Sequence, residues 1–329
     1  IIEPQIMLQW FVDVNKKIPT RENKSLKELM LEPVRNGKIK IIPNHFEKVY
    51  FNWVENLRDW CISRQIWYGH RIPVWYHEPI CIPKVGKEDQ ISKCLETIIS
   101  IEKPICKYCD AKYIQDEDTL DTWFSSGLWT FSTLGWPNRT EDLKNFHPTS
   151  VINPGYEILF FWVARMILMS QYLLGEIPFE TVYLHGMLRD AKGQKFSKSL
   201  DNGVDPIKII EEYGADALRM SMIVGIGPGA DGKFDIQKVK AYSKFSNKIW
   251  NVTRFVLDNT KDLIVPEKIN YDEEDIKSDK ELKELIKEIT KKMDEYKFYI
   301  VAEKLYHYFW HTFADIVIER SKKKILQNK

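Results

Sequence analysis

Residues 183–199 decide the fold, and they read YLHGMLRDAKGQKFSKS. The apolar run at 181–184 is typical of a buried parallel strand, and turn-forming residues at 190–194 follow it. The next five residues hold two lysines and two serines, namely Lys195, Ser197, Lys198 and Ser199. Mobile ammonium groups and hydroxyls on a short loop can surround a polyphosphate as its charge develops. The pattern predicts a phosphate-binding loop, with an exposed basic turn as the alternative.

The segments on either side of this loop alternate between strands and helices. Residues 150–152 form a short apolar strand, and a strongly apolar helix is predicted over 155–174. A further helix begins after Asp205, because Asp suits the N-cap and Pro206 suits the first helical position. Gly214 suits the end of that helix. This order predicts an α/β fold with a doubly wound parallel sheet.

The last third of the chain shows a different pattern. Apolar residues recur at three- and four-residue steps within 239–255 and again within 298–316, which predicts two amphipathic helices. The acidic stretch between them, residues 258–280, is predicted to be a solvated linker. We therefore expect a helical domain over residues 236–329.

Composition places the chain among globular proteins. Of its 329 residues 44% are hydrophobic, and 48 basic against 47 acidic side chains leave a net charge of +1. The longest apolar stretch, residues 158–164, is far shorter than the ~20 residues of a membrane helix. We expect no membrane partner. Five cysteines without a secretory signal indicate a reducing compartment, which predicts a cytoplasmic protein.

The loop and its surroundings resemble the Lys-Met-Ser-Lys-Ser region of class I aminoacyl-tRNA synthetases. The resemblance implies a Rossmann-like catalytic domain that uses ATP with Mg²⁺, with Lys195 and Lys198 as catalytic ligands of the ATP phosphates. It also implies an ATP site made of His185, Gly186, Lys195, Phe196, Ser197, Lys198 and Ser199. Phe196 replaces the usual Met, and Asp201 stands where the family mostly has Gly. Asp201 adds a negative charge near the phosphates.

Four further segments resemble the valyl-tRNA synthetases, namely residues 52–65, 69–76, 121–137 and 155–162. The resemblance implies that Trp123, Ile158 and Trp162 enclose the valine side chain, and that Gly155 and Glu157 contact the adenylate. Glu157 replaces the family's Asp. Rigid apolar walls suit the selection of a small branched side chain, although the same tryptophans could equally be ordinary core. The first two segments are shared in part with isoleucyl enzymes, so an isoleucyl-tRNA synthetase is the nearest alternative.

A cysteine-containing segment lies within an insert predicted at about 77–118. Cys106 and Cys109 have the spacing of a zinc knuckle. His77 and Cys81 precede them at the place where relatives carry a first knuckle, so the resemblance implies a His/Cys₃ zinc site. We set Cys61 and Cys94 aside as unrelated. The alternative is a ribbon that has lost its metal and keeps free thiols.

The resemblance implies three regions. Residues 1–50 are the exit from an inserted editing domain, 51–235 are the C-terminal half of the catalytic domain, and 236–329 are a truncated anticodon-binding bundle. Trp67-Tyr68-Gly69-His70 imitates the second half of the His-x-Gly-His motif that binds ATP, but no complete motif is present. We therefore expect the chain to be a piece of a larger protein and to be inactive by itself.

The predicted function is ATP-dependent activation of valine and its transfer to tRNA(Val), by an enzyme that is a monomer at full length. Lys244, Lys248 and Arg254 could contact tRNA phosphates or simply solvate a helix face. A non-catalytic tRNA-binding module derived from a synthetase is the alternative from another functional class. The intact Lys195 and Lys198 argue against this alternative, since a binding module need not keep both, and we therefore predict an enzyme.

Overall fold

The computed structural model of the chain describes residues 6–78, 84–87, 94, 96–261 and 269–327. The chain folds as two compact units. Unit 1 comprises Ile1–Ile152 with Glu157–Val182, and unit 2 comprises Asn153–Tyr156 with Tyr183–Lys329. The finer boundaries predicted near residues 50 and 235 stay predictions.

The first part of the chain is rich in short strands and short helices. The strands up to residue 183 are Phe11–Val12 (β1), Lys17–Ile18 (β2), Lys24–Ser25 (β3), Lys40–Ile42 (β4), Trp60–Cys61 (β5), Ser63–Arg64 (β6), Val74–His77 (β7), Thr97–Ile99 (β8), Tyr113–Gln115 (β9), Thr119–Leu120 (β10), Thr149–Ile152 (β11) and Phe179–Tyr183 (β12). The α-helices are Leu26–Arg35 (α1), His45–Glu55 (α2), Thr122–Ser126 (α3), Trp129–Ser132 (α4), Glu141–Phe146 (α5) and Arg165–Leu173 (α6), and Pro19–Arg21 is a 3₁₀ turn.

A three-stranded sheet forms the α/β part of unit 1. Its strand order is β11-β12-β4, and β11 runs parallel to β12 with Val151 opposite Thr181. Phe179 and Val182 of β12 are fully buried, as expected of a strand covered on both faces. The predicted strands at 150–152 and 181–184 are therefore confirmed, each with a shift of one or two residues at its ends.

The apolar segment at 155–174 differs from the single helix that we predicted. It consists of a 3₁₀ turn at Tyr156–Ile158, a π-helix at Leu159–Ala164 and then α6. The segment is apolar on nearly every face, so its hydrophobic pattern cannot distinguish a period of 3.6 residues from a wider turn. π-Helical turns are rare and often occur at functional sites.

The predicted ribbon-like insert is a three-stranded antiparallel sheet. β7 lies in the centre and pairs with both β8 and β9. Its registers place Trp75 opposite Ile98 on one side and opposite Gln115 on the other. Tyr113, Cys106 and Cys109 form a small buried cluster beside this sheet.

Unit 2 begins with a small parallel strand pair and continues as helices. Its elements are Leu188–Arg189 (β13), a 3₁₀ turn at Lys198–Leu200, Pro206–Tyr213 (α7), Ala215–Ile223 (α8), Gly232–Lys233 (β14), Ile236–Thr260 (α9), Glu273–Asp294 (α10), Phe298–His307 (α11), a π-helix at Tyr308–Ile318 and Glu319–Gln327 (α12). The predicted start of α7 is confirmed, because the Asp205 side chain accepts a hydrogen bond from the Ile207 N–H. Gly214, with φ of +90°, ends that helix as predicted.

The helical part of unit 2 has its own apolar core. Ala217, Val239, Tyr242 and Phe245 are buried, and the side chains of Tyr306, Phe309 and Trp310 pack against them. The first predicted amphipathic helix is present as α9, whereas the second consists of α11 followed by the π-helix at Tyr308–Ile318. In the part of the chain that the structure describes, no helix combines the length and apolarity that crossing a bilayer would require.

The prediction of a linker over residues 258–280 is wrong at both ends, because helices occupy them. α9 extends to Thr260, and α10 already begins at Glu273 with a capping box between Asp272 and Asp275. Acidic and basic side chains on α10 stand four residues apart, as in the ion pair of Asp279 with Lys283. The high charge that we read as a linker belongs to a solvated helix.

Candidate active site and metal cluster

The predicted phosphate loop is anchored at its base by Asp190. One carboxylate oxygen of Asp190 accepts hydrogen bonds from the backbone N–H groups of Lys192 and Gln194, at 2.9 and 2.8 Å. The Asp190 N–H in turn donates to the Gln194 carbonyl at 2.9 Å. Asp190 thereby closes the turn that returns the chain toward Lys195, whose backbone pairs with Arg189.

Asn202 holds the same loop from its far end. Its side-chain oxygen accepts a hydrogen bond from the Ser197 N–H at 2.9 Å. Its amide nitrogen donates to the second Asp190 oxygen at 2.9 Å and to the Lys195 carbonyl at 3.3 Å. The hydrogen bond from Asn202 is the largest cause that lowers the pKa of Asp190, which keeps this carboxylate ionised. Neither Asp190 nor Asn202 was assigned to the site from the sequence.

The residues predicted to bind ATP phosphates lie together on this loop. Lys195 and Ser199 are exposed, and Phe196 and Ser197 are half-buried. The Ser197 hydroxyl lies 2.6 Å from the Ser199 hydroxyl and accepts a hydrogen bond from the Ser199 N–H at 3.1 Å. The Lys198 backbone begins the 3₁₀ turn, while its side chain lies outside what the structure describes.

Asp201 follows that turn in the left-handed region, with φ of +48°. Glycine adopts this conformation without steric cost, and Asp tolerates it better than most residues. The backbone therefore explains why glycine suits this position and why Asp can replace it. The substitution keeps the turn and adds a carboxylate.

His185, Gly186 and Gly155 meet at one point of unit 2. Gly155 and His185 form a parallel β-bridge, and the Tyr156 N–H donates to the His185 carbonyl at 3.1 Å. A side chain at Gly186 would place its Cβ 1.9 Å from the Ala230 carbonyl oxygen, so only glycine fits. His185 and Gly186 line a cavity of about 400 Å³.

An ion pair fixes the strand on which the loop begins. Asp231 accepts a hydrogen bond from the Met187 N–H at 2.8 Å and pairs with Arg189 through both its Nε and a terminal nitrogen, each at 2.6 Å. The backbone hydrogen bond from Met187 is the largest cause that lowers the pKa of Asp231. We did not predict this pair from the sequence, since Asp231 lies more than forty residues after Arg189.

Two of the residues predicted to enclose the valine side chain, Trp123 and Trp162, belong to a set of paired aromatic rings in unit 1. We call this set the aromatic wall, and it consists of Trp123, Trp129, Phe161 and Trp162. Trp123 stacks on Phe161 with centroids 5.8 Å apart, and Trp129 lies 5.8 Å from Trp162. The Trp162 indole N–H donates to the Ser126 carbonyl at 3.1 Å, which ties the π-helix to α3. The wall is therefore fixed by stacking and by one directed hydrogen bond.

The other two predicted pocket residues flank the start of the π-helix. Ile158 is half-buried, and Glu157 is exposed. Leu159 and Val163 are fully buried and anchor the π-helix in the core of unit 1. His70 lies near α3, with Nδ1 2.8 Å from the Ser125 hydroxyl.

Four potential zinc ligands converge beside the antiparallel sheet of unit 1. The ligand atoms of His77, Cys94, Cys106 and Cys109 all lie within 4.8 Å of one another. Setting Cys94 aside was wrong, because its sulfur lies 3.6 Å from that of Cys106 and 3.8 Å from that of Cys109. Cys81, which we predicted as a ligand, lies outside the described residues. No spacing rule would have selected Cys94, since only the fold brings it to the knuckle.

The donor set fits a tetrahedral zinc ion. Zn–S bonds of about 2.3 Å imply sulfur–sulfur separations of about 3.8 Å, close to those of Cys94. His77 Nδ1 lies 2.6 Å from the Glu78 carbonyl oxygen, so the ring proton is on Nδ1. The unprotonated Nε2 is then the atom that would coordinate zinc. Burial raises the pKa of the Cys106 thiol, but hydrogen bonds from the Tyr108 and Cys109 backbone and from neighbouring thiols outweigh it and lower the pKa to about 6.

Comparison with curated proteins gives relatives along nearly the whole chain. The chain is 47% identical over 327 residues to a valine--tRNA ligase of Clostridium tetani, and 44% identical over 326 residues to one of Thermotoga maritima. These matches cover 98% and 99% of the chain, but only 34% and 35% of the relatives. The chain thus spans about a third of the length of the curated relatives that it matches.

Solved structures share the fold at low sequence identity. A ternary complex of Agrobacterium radiobacter LeuRS with tRNA and LeuAMS has a TM-score of 0.61 and 22% identity, over 80% of this chain and 38% of that chain. Methionyl-tRNA synthetase of Mycobacterium tuberculosis bound by methionyl-adenylate has a TM-score of 0.62 and 17% identity, over 85% of this chain and 48% of that chain. These likenesses confirm the predicted fold class.

Two family descriptions also match the chain. "Anticodon-binding domain of tRNA ligase" matches residues 278–329, within the region predicted to hold the anticodon-binding bundle. "tRNA synthetases class I (I, L, M and V)" matches residues 2–235, which include the phosphate loop and the aromatic wall. From this match over most of its length, the chain belongs to the class I tRNA synthetases, in the group of the I, L, M and V enzymes.

Proposed function

We propose that the chain is part of a valine--tRNA ligase, which joins valine to ATP and passes it to tRNA(Val). The observation that carries this proposal is the 47% identity to the Clostridium tetani valine--tRNA ligase along nearly the whole chain. In the activation step a valine carboxylate oxygen bonds to the α-phosphorus of ATP, and the bond from that phosphorus to the bridging oxygen breaks. Valyl-adenylate and pyrophosphate are the products.

The phosphate loop suits the departure of pyrophosphate. Asp190 and Asn202 fix the backbone of residues 195–197, so the exposed Lys195 side chain projects from a pre-formed turn. A positive charge held at that place stabilises negative charge as it develops on the leaving group. We infer that Lys195 and Lys198 act there, with the hydroxyls of Ser197 and Ser199 as further donors and Mg²⁺ accompanying the nucleotide.

The aromatic wall suits the selection of valine. Stacked rings have few rotamers, and the hydrogen bond from Trp162 to Ser126 fixes one of them against α3. We propose that Trp123, Ile158 and Trp162 contact the valine side chain, and that Gly155 and Glu157 lie at the adenylate. Apolar walls reject threonine only about 10²-fold, a limit already known for valyl enzymes themselves and not inferred from this structure. Such a site requires editing elsewhere in the full-length protein.

The helical part of unit 2 offers basic side chains for tRNA. Lys244 and Arg254 are exposed on α9. Lys248 instead pairs with Asp315 at 2.7 Å and lies 4.5 Å from the centre of the Trp310 ring. We propose that Lys244 and Arg254 contact tRNA phosphates, that Lys248 holds the bundle together, and that the complete enzyme works as a monomer in the cytoplasm.

Both curated relatives described above are valine--tRNA ligases, and no observation favours the isoleucine enzyme or a non-catalytic module. A hybrid enzyme tests the proposal directly. The chain replaces the matching third of the Clostridium tetani valine--tRNA ligase, and amino-acid-dependent pyrophosphate exchange is measured. We expect exchange with valine and much slower exchange with isoleucine. A soluble hybrid that exchanges with isoleucine, or with neither amino acid, contradicts the proposal.

We further propose that His77, Cys94, Cys106 and Cys109 would hold a structural zinc ion, which when bound cross-links the two ends of the insert. The test is the zinc content of the purified chain, measured by mass spectrometry. We expect about one zinc ion per chain, lost in Cys94→Ser and kept in Cys61→Ser, since Cys61 lies outside the cluster. Equal zinc content in the two variants contradicts the proposed ligand set.

A further inference from the structure

Arg165 is a buried cation inside unit 1. It begins α6, directly after the π-helix, and only 5% of its surface is exposed. Its guanidinium carbon lies 3.8 Å from the centre of the Trp60 ring and 4.9 Å from that of the Phe160 ring. A planar guanidinium stacked on aromatic rings constrains their orientation as well as their position.

Each of these two rings is connected by contacts to the predicted amino-acid pocket. Phe160 meets Phe161 edge-on at 5.6 Å, and Phe161 stacks on Trp123. On the other side, the Trp60 indole N–H donates to the Asp121 carboxylate at 3.2 Å. Asp121 immediately precedes α3, the helix that carries Trp123. One series of contacts therefore connects Arg165 with the ring of Trp123, and a second connects it with the start of the helix that carries Trp123.

Arg165 is protonated at neutral pH, although burial lowers its pKa. Burial lowers the pKa of Arg165 to about 10, and the nearby Asp121 carboxylate partly opposes this shift. Asp121 is itself buried and lies 3.3 Å from the Arg64 guanidinium. One terminal nitrogen of Arg165 has no hydrogen-bond partner among the described residues. A purely structural core would be served better by an apolar side chain than by an incompletely paired cation.

We propose that Arg165 is a positioning residue for the amino-acid pocket. Its guanidinium fixes Phe160 and Trp60, and through them it sets the position of Phe161 and Trp123 against the substrate side chain. This inference rests on the proposed function, because it concerns the pocket in which valine would bind. Arg165 itself does not contact the substrate.

The position of Trp123 is tested on the chain itself. The protein is labelled with 5-fluorotryptophan, and its ¹⁹F resonances are assigned by replacing single tryptophans with phenylalanine. In Arg165→Met we expect the resonances of Trp60 and Trp123 to move while most others stay in place. The matched control is Arg35→Met, because Arg35 also lies over a ring, that of Phe51 at 5.7 Å, but outside the pocket. An unmoved Trp123 resonance in folded Arg165→Met overturns the inference.

The effect on substrate is tested in the hybrid enzyme. In Arg165→Met we expect the KM for valine to rise about tenfold, with the KM for ATP unchanged and discrimination against isoleucine reduced. Arg165→Lys keeps the charge but loses the planar group, so we expect an intermediate KM. An unchanged valine KM, or equal increases for valine and ATP, contradicts a positioning role.

A second variant and a second measurement distinguish a failure of this inference from misfolding and from a failure of the proposed function. If Arg165→Met does not fold, Phe160→Leu removes one ring and leaves Arg165 on Trp60, and it should still raise the valine KM selectively. An unchanged KM in that variant counts against the inference. If the unaltered hybrid fails to activate valine, the proposed function fails, whereas the fluorine spectrum of the chain still decides whether Arg165 positions Trp123.

Discussion

The aromatic wall and the phosphate loop are built in opposite ways. The wall consists of two pairs of aromatic rings, and the π-helix that carries Phe161 and Trp162 also holds the fully buried Leu159 and Val163. The loop at 190–202 has little apolar support and is held by the polar side chains of Asp190 and Asn202. A pocket that measures the shape of a side chain needs rigid walls. A loop that meets a moving polyphosphate needs exposed cations on a backbone that can adjust.

The largest effect in this comparison should come from a single charge on the loop. We expect Lys195→Ala to lower kcat for pyrophosphate exchange in the hybrid enzyme by about 10²–10³-fold, because the leaving group loses a stabilising donor. Lys192→Ala is the matched control, since Lys192 is also exposed on this loop. Equal losses in both variants would mean that general basicity matters and that Lys195 has no specific role.

A substitution in the aromatic wall should change the selectivity for valine over isoleucine more than it changes kcat. In Trp162→Phe the ring is smaller and the hydrogen bond to the Ser126 carbonyl is lost. We expect discrimination of valine against isoleucine to fall about tenfold, since one methylene group is worth about 10–200-fold in such pockets. Trp67→Phe, at a tryptophan that is 96% exposed, should leave the ratio unchanged. If Trp162→Phe lowered kcat and left the selectivity unchanged, the aromatic wall and the phosphate loop would not differ in the way that we propose.

The polar anchors of the loop should have a smaller effect than its lysine. Asn202→Ala removes hydrogen bonds to Asp190, Ser197 and Lys195. Each is worth about 1 kcal/mol at most in an exposed turn, and bound ATP can partly reorder the loop, so we expect kcat to fall about fivefold. Asn247→Ala on the exposed face of α9 serves as the control. A loss as large as that of Lys195→Ala would show that the loop is as rigid as the wall.

The smallest effect should come from the left-handed residue. Asp201→Ala places at φ of +48° a residue that tolerates the left-handed region less well than Asp does. We expect this backbone cost to outweigh the loss of the negative charge, so the KM for ATP should rise about twofold to threefold. Asp201→Gly relieves the backbone and removes a negative charge, so its KM for ATP should be equal to or below that of the parent. Because both variants lack the carboxylate, the difference between their KM values, measured by pyrophosphate exchange, reports the backbone conformation alone. The reverse order would contradict this account.

Local signals in the sequence sufficed for the elements that frame the site. Helix α7 was predicted from Asp205, Pro206 and Gly214, because caps act within a few residues. The loop was found for a similar reason, since its lysines and serines are adjacent in sequence. These features depend on neighbours along the chain, which a single sequence displays.

Features that depend on distant partners could not be predicted. Arg165 looked like the charged end of an apolar run, yet it is buried between two rings. Cys94 has no knuckle spacing, and Asp231 pairs with a strand far upstream. We did not predict helices α1 and α2 from the sequence. In each case tertiary contacts decide the role of the residue.

The close approach at Gly186 has a consequence for how this protein tolerates change. With a backbone carbonyl 1.9 Å from where a Cβ would stand, even alanine must push two segments apart. Gly203, only a short way along the chain, has open space around the same position. In a saturation library of the hybrid gene, selected for growth, codon 186 should retain glycine alone, whereas codon 203 should accept many side chains.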